Sequence, residues 1–514
     1  MAERIHITTA IFYCNAPPHV GSAYEALAAD VFARHQRRKR GRDNVSFLSG
    51  TDEHGDKIYR AAVAQGLEAK AFTDKMSVLF RDAWKGLSVD TNYFVRTTDA
   101  VHEKFVQDML ARTHASGDIY FKDYEGLYCV GCERFYTEKE LLPGNVCPEH
   151  NKPVELISEG NYFLKLEKYR QRTIDHIQSN PDFIRPERYR NEALKMLAEP
   201  LGDLCISRPK SRLSWGIELP FDDKYVTYVW YDALFAYVST PAAQNPDFIK
   251  GIWPNTQHFI GKDILKTHSV YWPPILFAAG LPLFKHLNVH GYLNFGGARM
   301  SKSSGNVADP VSYESAFGHD VLRYFVMREI VYGLDGDFSE EKLIGRYNAD
   351  LANDLGNLVS RVLSMAARYF QSEMKAVPGM ADEADRAMVE AFAPLPERVS
   401  ELVDALAFNR ALEAIWQALD AANKYIVATS PFTLAKDAAN LPRVAQILAN
   451  LLEGLRIVSD TLEPFMPVTA SKLLDLLAID EKIARAPFGQ GLKVGHRVKP
   501  PMPLFPRIEK PEQN

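Results

Sequence analysis

Four residues in one short segment have the types and spacing of a metal site. Cys129 and Cys132 form C-x2-C in "CVGC", and Cys147 and His150 form C-x2-H in "CPEH". Two short pairs separated by a loop supply the four ligands of a tetrahedral Zn²⁺ ion. No position is left for a substrate, so the expected metal is one structural zinc. The bland alternative is four uncoordinated side chains. Cys14 and Cys205 stand alone and take no role, and five cysteines so arranged make no disulfide framework.

A second constellation follows a proline pair. In "PPHVGSAYEALAADVFARHQ", His19, Gly21 and Ser22 sit at the mouth of a helical pattern. Prolines stiffen the approach, and glycine lets backbone come close to a ligand. The free N–H groups of a helix start favour phosphate. Taken alone, His19 reads first as a surface or capping residue. A third stretch, "GGARMSKSSGN" (296–306), sets Arg299 and Lys302 on a glycine-flanked loop suited to a polyphosphate. It is not a P-loop, because G-x-x-x-x-G-K-[ST] is absent. By itself it also reads as a solvated basic loop. The basic run "RHQRRKRGR" (34–42) is either the solvated end of a helix or a phosphate contact.

These residues need elements to hold them. "RIHITTAIFY", "AYEALAADVFARHQRR", "NVSFLSGTD" and "KIYRAAVAQG" read as strand, helix, strand, helix, the signature of a parallel α/β sheet covered on both faces. From about 116 to 220 the texture breaks into cysteines, glycines and prolines, as an inserted module would. The α/β pattern then returns. From about 345 apolar residues recur at helical spacing in long runs, indicating a helical bundle. At 514 residues, with 46% hydrophobic and 24% charged residues, the chain is sized for several globular domains. A net charge of −5 argues against non-specific nucleic-acid binding. No apolar run is long enough to span a membrane and the start lacks signal-peptide character, so the expected location is cytoplasmic.

Together, His19–Ser22 and Arg299–Ser303 resemble the H-I-G-H and K-M-S-K-S signatures of class I aminoacyl-tRNA synthetases. "SGTDEHG" (49–55), "YVWYDAL" (228–234), "HFIGKDI" (258–264), "HGYLNFGG" (290–297) and "NADLANDLGNLVSR" (348–361) are similar to segments of the methionyl family within that class, in its bacterial single-knuckle form. The resemblance runs from about residue 5 through the helical region. It implies a Rossmann-like catalytic domain in two halves, 1–115 and 221–295, split by a zinc-knuckle insertion at 116–220. A K-M-S-K-S-type loop and stem-contact region would occupy 296–350, and a helical anticodon-binding domain with its tail 351–514.

The implied reaction joins L-methionine to AMP at the expense of ATP, with Mg²⁺, and passes the methionyl group to tRNA(Met), the initiator form included. The attacking carboxylate is already ionised, so the site needs donors and cations and no acid–base dyad. By resemblance, His19, Ser22, Arg299 and Lys302 serve catalysis, and His19, Gly21, Ser22, Gly291 and Lys302 bind ATP. Asp52 would hold the amino group. Ile11, Tyr13, Trp230, Leu234, Tyr237, Ile264, His268 and Trp272 would surround the side chain, where aromatic rings suit sulfur. Asn357, Arg361 and Phe432 would meet the anticodon. Three residues depart from the family's usual ones: Ser22 for histidine, Arg299 for lysine and Phe432 for tryptophan. The insertion is too short for the large editing domain of related synthetases. A chain ending soon after its helical region, without the dimerising module of some relatives, is expected to be a monomer. A synthetase or nucleotidyltransferase for another substrate would share the two signatures, and so would an RNA-binding protein on the same frame.

Overall fold

A computed structural model describes residues 3–129, 134–136, 138–149, 151–295, 298–299 and 308–508. The chain divides into two compact units. One comprises Met1–Ala29, Gln36–Lys85 and Val89–Gly291; the other comprises Asp30–His35, Gly86–Ser88 and Tyr292–Asn514.

Six parallel strands form the centre of the first unit: β1 (Ile5–Tyr13), β2 (Val45–Asp52), β3 (Tyr93–Arg96), β4 (Ile184–Arg185), β5 (Thr256–Gly261) and β6 (His286–His290). Their order is β3-β2-β1-β5-β6-β4. The run IHITTAIFY does not alternate because β1 is enclosed on both faces, and the polar side chains it buries are paired. Thr8 Oγ1 meets His258 Nδ1 at 2.6 Å, and His6 Nδ1 meets Ser46 Oγ at 2.8 Å. β2 and β3 approach closely at Gly50, where a Cβ would stand 2.1 Å from the Val95 carbonyl oxygen.

The chain steps from β1 outward through β2 and β3, then returns on the other side through β5 and β6. Strand order therefore reverses between β1 and β5, and the carboxyl ends flanking such a point are where open parallel sheets bind ligands. Helix α1 (Val20–Arg40) leaves β1 at that edge, and α2 (Ala100–Ala115) follows β3. Within 116–220, strands Ile119–Cys129 and Glu155–Leu164 pair antiparallel from Ile119↔Leu164 to Tyr128↔Glu155, flanked by Arg134–Tyr136 and Leu204–Cys205. The same segment sends β4 back to the edge of the main sheet. Helix α3 (Val229–Leu234) then precedes β5.

The second unit is largely helical, as the 3.6-residue periodicity predicts. A π-helical stretch, Tyr347–Gly356, runs into α4 (Asn357–Phe370); α5 (Phe408–Thr429) and α6 (Leu441–Leu462) follow. α6 is enclosed on all sides over most of its length, as suits the centre of a bundle. Its buried Arg456 bonds Glu453 at 2.6 Å and the Ala484 carbonyl at 2.7 Å. Buried Arg323 likewise donates to Asp30 Oδ2 at 2.7 Å and to the Phe465 carbonyl at 2.9 Å. Among the described residues no helix is long and apolar enough to cross a membrane.

Candidate active site

At the mouth of α1 the sequence builds its own cap. His19 is the N-cap in extended backbone, φ −134° and ψ 169°. Its Nδ1 accepts the Ser22 N–H at 3.2 Å, and its own N–H donates to Ser22 Oγ at 3.0 Å. The Ser22 hydroxyl donates to the His19 carbonyl at 2.7 Å. This is a capping box, in which two helix-end donors are satisfied reciprocally. With Nδ1 accepting, neutral His19 carries its proton on Nε2. Gly21 makes room for the ring: a Cβ there would lie 2.9 Å from both Cε1 and Nδ1 of His19.

The neighbouring strand ends are pinned. Glu25 on α1 accepts the Ala10 N–H at 2.7 Å and meets His290 Nε2 at 3.1 Å, while His290 Nδ1 donates to the Gly291 carbonyl at 2.7 Å. Burial works against charge on His290, but the bond to Glu25 raises its pKa overall. At the end of β2, Asp52 stands opposite Tyr13 of β1. The next residue, Glu53, is fully buried and takes Arg96 in a fork at 2.6 and 2.8 Å, with Thr51 at 2.7 Å and Thr98 at 2.6 Å. Its carbonyl accepts the Trp215 indole N–H at 2.6 Å. The turn that carries Asp52 is thereby fixed from several sides.

Ile11, Leu234, Tyr237 and Trp272 belong to one buried apolar cluster, with Trp230 and Ile264 packed against it. His268 lies on a π-helical turn, Thr267–Tyr271, that delivers Trp272. Such turns often mark functional sites. His268 Nδ1 donates to the Ile264 carbonyl at 3.0 Å, so Nε2 accepts the Tyr237 hydroxyl at 2.9 Å. Burial holds His268 down to about 4, so it is neutral. The Trp272 indole N–H is buried without a hydrogen-bond partner among the described residues. The cluster thus offers aromatic side chains and a neutral polar pair, and Tyr13 and Asp52 end the adjacent strands β1 and β2.

Sequence reasoning missed a second network behind this wall. Asp232 of α3 is fully buried; its Oδ2 lies 2.6 Å from His54 Nδ1 and its Oδ1 2.6 Å from His102 Nε2. His102 Nδ1 reaches Ser239 Oγ at 2.9 Å. Burial opposes ionisation of Asp232, yet the two imidazoles hold its carboxyl below the usual range, and Asp232 raises His54 against burial. The available signal was a lone carboxylate inside the aromatic run "YVWYDAL", since an acidic residue is rarely buried without partners.

Arg299 lies on the short strand Ala298–Arg299, paired with Asn294. Lys302 falls outside the described residues. The basic run at 34–42 is largely spent internally: Arg37 and Arg42 meet Asp90 at 2.9 and 2.8 Å, and Arg40 meets Glu3 at 3.1 Å. Cys14 is a buried thiol whose pKa is raised by burial and by Glu53 and Asp52, and burial also raises that of Cys205. Both are poor nucleophiles.

In the insertion, Cys129 and Cys147 are buried in one small core with Tyr136, against Leu141 and Val154. Cys132 and His150 lie outside the described residues. In the second unit, Asn357 opens α4 and is exposed, and the Arg361 guanidinium stands 5.9 Å from the Phe432 ring centroid. Phe432 is 43% exposed.

Residues 5–154 and 146–363 match the family model described as tRNA synthetases class I (M). Methionine–tRNA ligase of Caldanaerobacter subterraneus subsp. tengcongensis is 42% identical over 514 residues, covering 99% of this chain and 80% of that protein. That of Deinococcus radiodurans is 44% identical over 510 residues, covering 98% and 74%. The structure of Mycobacterium tuberculosis methionyl-tRNA synthetase in complex with methionyl-adenylate superposes with a TM-score of 0.93 at 40% identity, over 98% of this chain and 100% of that one.

Proposed function

The chain belongs to the methionyl branch of the class I tRNA synthetases, and we infer from this that it activates L-methionine with ATP and transfers the methionyl group to tRNA. The observation that carries the assignment of its site is the convergence at the carboxyl edge. A capped helix mouth, a strand-end carboxylate and a buried aromatic cluster with a neutral Tyr237–His268 pair belong to the elements beside the point where strand order reverses.

In the first step a methionine carboxylate oxygen attacks the α-phosphorus of ATP. The new O–P bond forms as the bridging bond to the β-phosphate breaks, and pyrophosphate leaves with the electron pair. No proton moves, so the residues act by position and charge. We assign His19 Nε2–H, the α1 mouth at Gly21 and Ser22, and Gly291 to the nucleotide, with Arg299 and Lys302 meeting the phosphates. Mg²⁺ bound with the nucleotide would offset phosphate charge. Asp52 takes the ammonium group, while Ile11, Tyr13, Trp230, Leu234, Tyr237, Ile264, His268 and Trp272 enclose the thioether. In the second step a hydroxyl of the terminal adenosine of tRNA(Met) attacks the carbonyl, displacing AMP and losing its proton.

Exposed Phe432, beside Arg361 and on the same unit as Asn357, has the character of a base-stacking platform, which supports an anticodon role for the three. Two buried thiols in one closed core suit a structural metal; with Cys132 and His150 they would hold one zinc, which stabilises the insertion and takes no part in the reaction.

Two assays on one preparation test the reading. Pyrophosphate exchange should depend on methionine and fail with cysteine, isoleucine or valine. Phe432→Ala should spare that exchange while lowering tRNA charging about tenfold, because a stacked base contributes about 1–3 kcal/mol. Exchange driven by another amino acid would overturn the substrate assignment, and equal losses in both assays would remove Phe432 from the anticodon site.

A further inference from the structure

The Asp232 network joins the elements that would meet the amino acid. His54 stands two residues beyond Asp52, on the turn fixed by Glu53. Asp232 itself sits on α3 between Trp230 and Leu234. His102, on α2, grips the other oxygen of Asp232 and extends to Ser239, two residues from Tyr237. The side chains of Asp232 and His102 are 0% exposed and that of His54 4%. An ionised carboxylate at this depth is costly unless both oxygens are satisfied, and here each is met at 2.6 Å. The turn is secured independently by Arg96, Thr51, Thr98 and the Trp215 indole. The Asp232–His54 contact is therefore spare as a fastening for the turn itself. What it adds is a link between that turn and α3.

We propose that Asp232 is a positioning residue for methionine activation, holding the Asp52 anchor and the Trp230–Leu234 wall at the separation the amino acid must span. The proposal rests on the assignment of Asp52 and Trp230 to methionine. Asp232 touches neither substrate; it acts through His54 and through the helix it stands on. Loss of the link should be felt by methionine and not by ATP, whose assigned contacts are the mouth of α1, Gly291, Arg299 and Lys302; among the described residues these include no partner of Asp232.

The test is pyrophosphate exchange with each substrate varied in turn. In Asp232→Ala, KM for methionine should rise about tenfold or more while KM for ATP stays within about twofold, since misplacement near 1 Å costs up to about a hundredfold. Asp232→Asn should restore most of the loss. Its carboxamide can accept from His54 and donate to His102, whose Nδ1–H then turns to Ser239, so both hydrogen bonds survive without the charge. His102→Gln removes one side of the clamp and should raise KM for methionine by a smaller factor; it decides the matter if Asp232→Ala does not fold. An unchanged KM for methionine overturns the proposal. So does a matched rise in both KM values with a lowered unfolding temperature. Wild-type protein without methionine-dependent exchange would instead overturn the substrate reading on which it rests.

Discussion

His19 turns one ring nitrogen inward to its own helix and so fixes which nitrogen faces outward. The Ser22 backbone N–H makes that choice, and the Ser22 hydroxyl adds two hydrogen bonds to the His19 backbone that hold the turn around it. A histidine in its place would lack the short hydroxyl that closes the box, so in this chain the fourth residue of the motif supplies the N3 side of a capping box around His19. Gly21 completes the arrangement, because any Cβ would strike the His19 ring. Ser22→Ala removes the hydroxyl half of the capping box and should lower unfolding stability by about 1 kcal/mol, the usual worth of a capping interaction. It should also reduce the exchange rate by loosening His19, whereas Ser22→Thr should keep both. Urea denaturation and exchange kinetics check the pair. An alanine variant that loses rate without losing stability would make Ser22 a direct phosphate ligand.

The elements divide into those that position the site by backbone alone and those that need a fastening. Strand ends belong to the first kind: Asp52 and Tyr13 meet because β1 and β2 run parallel in register. The segment around Cys129 and Cys147 belongs to the second, because a core of Cys129, Tyr136 and Cys147 with two apolar neighbours is too small to be stable unaided, which favours the proposed zinc. Purified protein should contain about one zinc per chain by mass spectrometry. Cys147→Ser should release it and lower the unfolding temperature of the insertion, and a metal-free preparation of undiminished stability would sink the assignment. The legibility of the sequence follows the same division. Alternation of β1, α1 and β2 was readable because enclosed strands and their crossover helix must be apolar in distinct periods. The edge strand β4, only two residues long and emerging from the insertion, carries no such pattern. The clamp at Asp232 joins residues 54, 102 and 232, which only the folded topology brings together.

At the scale of the whole molecule, buried histidines make stability depend on pH from both sides. His6 and His268 lie inside the first unit, and burial lowers them to about 3 and about 4. Burial also lowers His258 well below the ordinary value. Their folded pKa values are depressed, so between about 4 and the unfolded value near 6.5 the unfolded chain binds more protons. The stability they contribute is complete above about 6.5 and is lost as pH falls, by up to about 1.4 kcal/mol per pH unit for each histidine. His54 and His290 act in the opposite sense. Their carboxylate partners outweigh burial and raise them, so their contribution is complete below about 6.5 and is lost as pH rises through the folded values. The first unit should therefore be most stable near neutrality. Five of the six tryptophans, Trp84, Trp215, Trp230, Trp253 and Trp272, belong to it, so their fluorescence reports mainly on this unit. Urea midpoints followed this way should fall from pH 7 to pH 5. His6→Asn, which removes one buried imidazole and leaves a partner for Ser46, should flatten that fall by about one proton. An unchanged slope in the variant would mean that His6 is already protonated in the folded protein, and that the acid limb comes from elsewhere.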